Sequence, residues 1–99
     1  MANVIFEMKF IEEVEDIFDI SGRGCVVVPG VPYDFQPEIG KDSILEFQNP
    51  NGTKIRTTIQ AFELINRGKP MDHAPFSLPK NIKKTDIELG AKIYLVENE

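Results

Sequence analysis

The chain contains no tryptophan, one cysteine and one histidine. Cys25 on its own leaves no partner within the chain for a disulfide. With no leader-like segment at Met1-Ala2-Asn3-Val4, the expected compartment is a reducing cytoplasm. A single histidine, His73, excludes a multi-histidine metal site or a histidine-based triad with a spare imidazole; it reads as a surface loop residue. Long apolar runs are missing too. The longest, Cys25-Val26-Val27-Val28, falls far short of the ~20 residues that span a bilayer, and its borders at Gly24 and Pro29 mark it as a buried strand. Positive charge is scarce, with 11 basic residues against 16 acidic ones and a net charge of −5. Counterion release on a phosphate backbone needs Lys and Arg, so RNA is disfavoured as a general partner and a basic protein surface is favoured. The only basic cluster, Lys80, Lys83 and Lys84, is too small for a nucleic-acid footprint.

What is present describes one soluble domain spanning residues 1–99. The apolar fraction is 41% and the charged fraction 27%, both ordinary for a globular protein. Seven glycines and seven prolines are spread along the chain, which gives a turn-rich fold. Val4 to Ile20 is ambiguous. Period two places Phe6, Met8, Phe10, Val14, Phe18 and Ile20 on one side; a helical period stacks Ile11, Val14 and Phe18. Both readings stand at this point. Ser21-Gly22-Arg23-Gly24 is a turn, Cys25–Val28 a strand closed by Pro29-Gly30-Val31-Pro32, and Tyr33–Asp42 a proline-interrupted loop. Ser43–Gln48 is a strand, Asn49-Pro50-Asn51-Gly52 a tight hairpin turn, and Thr53–Phe62 the returning strand. Asn66–Pro70 turns again. Pro75–Leu78 reads as a short or edge strand, because proline removes a ladder donor. Lys83–Glu88 forms one helical turn, and Ala91–Val96 is the last strand. The fold class is all-β, a sandwich or small barrel.

Val14-Glu15-Asp16-Ile17-Phe18-Asp19-Ile20-Ser21-Gly22-Arg23-Gly24-Cys25-Val26-Val27 resembles the opening of domain 2 of translation elongation factor Tu. Ile39-Gly40-Lys41-Asp42, Ile59-Gln60-Ala61-Phe62, and Leu78–Lys84 followed by Thr85-Asp86-Ile87-Glu88-Leu89-Gly90 resemble later segments of that family in the same order. The resemblance runs from about Lys9 to Val96. It implies a closed six-stranded antiparallel β-barrel over about 9–96, a short lead-in over 1–8, and a strand rather than a helix before Ile20. The family's preceding GTPase domain has no counterpart here. Gly40-Lys41 is followed by Asp42 with no glycine five positions before Gly40, so no phosphate-cradling P-loop is present.

The same resemblance points to Glu15, Asp16, Phe18, Ile20, Gly22, Arg23 and Gln60 as the residues of a binding groove, with Arg23 free to meet a phosphate or carboxylate. Four positions depart from the family. Gln60 replaces an acidic residue, Val28 and Pro29 replace a Thr-Gly pair, and Ala74 stands where the family's pocket carries asparagine. The expectation is a pocket rebuilt for another partner. Cys25 reads as a small buried hydrophobe whose thiol Arg23 could acidify. Glu12, Glu13, Glu15 and Asp16 read as a solvated rim rather than a hard-metal site. The expected function is a non-catalytic binding module without cofactor or metal, acting on a protein partner or the translation machinery. Two alternatives are an immunity protein that neutralises an RNA- or translation-targeting toxin, and residual binding of the aminoacyl end of transfer RNA.

Overall fold

A computed structural model describes residues 6–64 and 71–98. Among them lie eight strands: β1 (Phe6–Glu13), β2 (Asp16–Ile20), β3 (Gly24–Pro32), β4 (Ile44–Gln48), β5 (Lys54–Thr58), β6 (Ala61–Phe62), β7 (His73–Ser77) and β8 (Lys92–Asn98). One 3-10 turn, Lys84–Asp86, is the only helical element among these residues. The strands form two antiparallel four-stranded sheets, ordered β1-β8-β4-β5 and β2-β3-β7-β6. The all-β expectation is met. The ladders do not join into one closed six-stranded cylinder, because the chain bends where it passes between sheets. Those bends fall at Val14-Glu15, between β1 and β2, and at Ile59-Gln60, between β5 and β6.

Each corner keeps its backbone groups paired as the chain changes sheet. The Val14 amide donates to the Ala91 carbonyl at 2.8 Å, and the next amide, Glu15, donates to Val28 in the other sheet at 2.9 Å. At the second corner the Gln60 amide donates to the Ser77 carbonyl at 2.8 Å. Buried backbone donors need such partners, so these bonds allow a sharp bend without loss.

The ambiguous opening is extended, as the resemblance implied. β1 pairs with β8 from Phe6↔Asn98 to Glu13↔Lys92, with a register shift between Phe10 and Glu12 that leaves Ile11 as the extra residue of a bulge. The strand therefore begins within the expected 1–8 lead-in. Ile11, Val14 and Ile17 are buried, whereas Met8, Phe10 and Phe18 are exposed. The bulge and the corner each reset the alternation, producing a three-residue spacing that imitates a helical stripe.

The core lies between the sheets. Leu45 and Phe47 of β4 and Ile93 and Leu95 of β8 meet Ile17, Cys25, Val27 and Phe76 from the second sheet. The Phe47 and Phe76 rings stand 6.4 Å apart at 59°, a tilted aromatic contact that joins the two sheets. Ile39, Ile82 and Ile87 close the core from the connecting segments.

Two proline-rich segments differ from the sequence reading. β3 continues through Pro29 and Gly30 to Pro32, and its pairing with β7 shifts register between Val27 and Val31. Gly30 makes this passage feasible. Its φ is 97°, and a Cβ there would sit 2.0 Å from the Ala74 carbonyl oxygen. β7 is internal, between β3 and β6, rather than an edge. Its Pro75 carbonyl accepts the Glu63 amide at 2.9 Å, so the missing proline N–H faces the β6 side, just past the end of that two-residue strand. The Asn49–Gly52 turn closes the β4–β5 hairpin as expected, with Gly52 at φ 93° and its amide on the Asn49 carbonyl. Asn51 does not adopt positive φ, so the turn is wider than a two-residue one. The expected Asn66–Pro70 turn lies outside the described residues.

Candidate functional site

The Ile20–Gly24 turn projects beside the end of β6. Gly22 and Gly24 take φ of 80° and 87°, a region that favours glycine, and the Arg23 amide donates to the Ile20 carbonyl at 2.9 Å. This geometry carries the Arg23 side chain to Glu63, with Nη1 2.5 Å from Oε1. The guanidinium is 64% exposed, but the Glu63 carboxylate is only 7% exposed. The other carboxylate oxygen, Oε2, accepts from Ser77 Oγ at 3.0 Å; that hydroxyl also lies 3.2 Å from the Ala61 carbonyl. A carboxylate taken out of water needs compensation of this kind.

Around this pair lies a groove of about 780 Å³, lined by Gly22, Arg23, Gln60, Ala61, Phe62, Glu63, Ser77 and Lys80. Phe62 is 45% exposed. It also lines a smaller adjoining cleft of about 300 Å³ that contains Val31, Tyr33, Phe35, Gln36, Glu38 and Ala74. Phe62 thus stands between two openings of mixed polarity.

Of the seven residues expected from the sequence, Gly22, Arg23 and Gln60 meet in the larger groove. Ile20 lies at the end of β2, against a separate cleft that shares Gly22. Glu15, Asp16 and Phe18 do not line the groove. Glu15 sits at the first corner, Asp16 Oδ1 accepts the Ile17 amide at 2.8 Å, and Phe18 is exposed on β2. Arg23, expected to be available for a ligand anion, is held by Glu63 instead. Ala74 belongs to the adjoining cleft, where an asparagine would have supplied an amide.

Sequence reasoning missed Glu63, Ser77 and Phe62 as a unit. Glu63 lies 40 positions from Arg23, and no local pattern joins them. A signal for Glu63 existed only in its place after Phe62, at the end of a strand reading.

His73 also differs from expectation. It opens β7 and is partly buried; its Nε2 lies 2.7 Å from Glu12 Oε1 and its Nδ1 2.6 Å from Asp72 Oδ1. Burial pulls its pKa down, but the Asp72 and Glu12 carboxylates outweigh this and leave it raised above 6.5. Glu12 is therefore part of an ion pair rather than of a wholly solvated rim.

Cys25 is buried, as read from its strand position. Its Sγ donates toward Asp19 Oδ1 at 3.3 Å. Burial, then the Asp19 carboxylate, push its pKa to about 11, the opposite of activation by Arg23. On the outer face of the first sheet, buried Glu46 accepts from Arg56 Nε at 2.8 Å and Gln48 Nε2 at 2.7 Å. Burial raises the Glu46 pKa, but these two donors exceed that effect and hold it below 4.5. Among the described residues no group of three His, Cys, Asp or Glu is placed to hold a metal ion, and no helix is long and apolar enough to cross a membrane.

Protein-family models, curated proteins and solved structures give no match to this chain.

Proposed function

We propose that the chain is a non-catalytic binding module of the elongation factor Tu domain 2 type, and that it holds a segment of a protein partner across Phe62. The two corners support the barrel part of this reading. Counting β1 with β2, and β5 with β6, as single bent strands reduces the eight elements to six. Their pairing order then runs from bent β1/β2 through β8, β4, bent β5/β6, β7 and β3 back to the start.

The observation that carries the binding reading is Phe62, a half-exposed aromatic set between a groove holding Arg23, Glu63 and Ser77 and a mixed cleft holding Tyr33, Phe35, Gln36 and Glu38. Aromatic side chains flanked by polar groups anchor interfaces, because one ring buries a large area and its neighbours fix orientation. Tyr33, 64% exposed, adds a second aromatic ring in the cleft on the other side of Phe62. Arg23 is neutralised by Glu63 and the chain carries −5, so a basic or neutral protein segment suits this surface better than an RNA end.

A photoreactive phenylalanine analogue at position 62 tests the reading in the producing cells. A defined protein crosslinked from position 62, and lost when Tyr33 is changed to alanine, is the expected result. Crosslinks to RNA that disappear with moderate salt support aminoacyl-end binding instead. Crosslinks no different from those at exposed Lys54 on the distant hairpin overturn the binding site.

A further inference from the structure

A second cleft, of about 570 Å³, shares Gly22 and Lys80 with the groove but has a different character. Lys80, Lys83 and Lys84 all line it, together with Thr85. The three lysines are exposed, and none is in an ion pair with a carboxylate of the described residues. One carboxylate, Asp19, also lines the cleft, with Oδ1 facing the Cys25 thiol at 3.3 Å, and Asp86 Oδ2 accepts the Lys83 backbone amide at 2.8 Å. The opposite wall is the glycine turn, where a Cβ on Gly22 would meet nothing within 4 Å. Backbone rather than side chain therefore faces the opening on that side.

Three of the 11 basic residues of a chain with net charge −5 share this one concavity. Three ammonium groups against the single lining carboxylate of Asp19 leave the cleft with an excess of positive charge, which a bound anion offsets. We propose that this cleft binds a phosphate group, with Lys80, Lys83 and Lys84 supplying the charge and Thr85 a neutral hydroxyl donor. Lysine meets phosphate as a flexible point charge, which suits a shallow site without a fixed fork. A phosphate alone would leave most of the cleft empty, so the group belongs to a larger small molecule or a modified side chain. A polyanion fits poorly, because Asp19 lines the same cleft and the basic residues make one patch rather than a track. The site shares Gly22 and Lys80 with the groove beside Phe62, but its argument needs no partner there.

The test titrates inorganic phosphate into the isotopically labelled chain at fixed ionic strength and follows the amide resonances. Saturable shifts at Gly22, Gly24 and Thr85 are expected. The Lys83→Gln/Lys84→Gln double variant should bind about tenfold more weakly or worse, since charge-assisted contacts are lost; Lys54→Gln should bind as the parent does. Phosphoserine and a nucleoside monophosphate, run in parallel, identify the carrier, and tighter binding of either supports the site. Shifts that fail to saturate, or equal affinity in the double variant, overturn it. So does binding confined to long single-stranded oligonucleotides and abolished by moderate salt. No partner protein enters the titration, so its outcome is separate from that of the position 62 crosslink.

Discussion

Arg23 Nη1 lies 2.5 Å from Glu63 Oε1, tying the β2–β3 turn to the residue that follows β6. The exposed partner serves the buried one: without Arg23, the Glu63 carboxylate retains Ser77 as its side-chain donor. Arg23→Ala should therefore destabilise by about 1–3 kcal/mol, the range for a buried acceptor stripped of a charged donor. Adding Glu63→Gln to Arg23→Ala, in a double-mutant cycle, should recover part of that loss. Urea midpoints at one pH measure the cycle; additive effects would show that the pair contributes nothing.

Gly30→Ala should be among the most damaging single substitutions. The added Cβ would fall 2.0 Å from the Ala74 oxygen and 2.5 Å from its carbonyl carbon, on backbone that cannot swing away. A loss of roughly 3 kcal/mol or more is expected, combining positive-φ strain with displacement of β7. Gly22→Ala, where the space is open but φ is also positive, should cost only about 1 kcal/mol. Thermal or urea unfolding of the two variants ranks them, and equal losses would contradict the close approach.

Stability should pass through a maximum in mildly acidic to neutral solution. His73 has a folded pKa raised above 6.5, so its contribution is complete below 6.5 and is lost as pH rises through the folded value. Glu46 is depressed below 4.5, so its contribution is complete above 4.5 and is lost as pH falls through its folded value. His73→Gln should flatten the alkaline side and Glu46→Gln the acidic side. Urea midpoints between about pH 4 and 9 read both limbs.

Cys25 should resist thiol reagents in the folded state. With a pKa of about 11 and a buried side chain, about one thiol in a thousand is ionised at pH 8, and that one is shielded. Labelling by an aromatic disulfide reagent should track unfolding and become fast only in denaturant. Rapid labelling of the native chain would contradict the packing of Cys25 beside Ile82.

Strand identity was legible where composition and turns agreed. Cys25–Val28, the Asn49–Gly52 turn and Ala91–Val96 all fall in or beside strands because β-branched residues and glycine act locally. The opening was not legible from periodicity, since the Ile11 bulge and the Val14 corner break alternation in a way that only the partner strands reveal. Pro29 looks like a terminator in the sequence and Pro75 like part of a short or edge strand, yet Pro29 lies within β3 and Pro75 within an internal strand. Pro29 falls within the shifted stretch of β3, and the missing N–H of Pro75 faces the β6 side of β7. At the site, the glycine turn and Gln60 could be named from sequence. Arg23–Glu63 and His73–Glu12 could not, because each joins residues brought together only by sheet pairing.

The corners at Val14-Glu15 and Ile59-Gln60 also govern how the molecule comes apart. The corner amides of Glu15 and Gln60 donate to Val28 and Ser77 of the second sheet, and that of Val14 donates to Ala91 beside β8 of the first, so neither sheet can detach while its companion stays whole. Amide protons of β4 and β8 in one sheet should therefore exchange with the same free energy of opening as those of β3 and β7 in the other, as one cooperative unit rather than two independently opening layers.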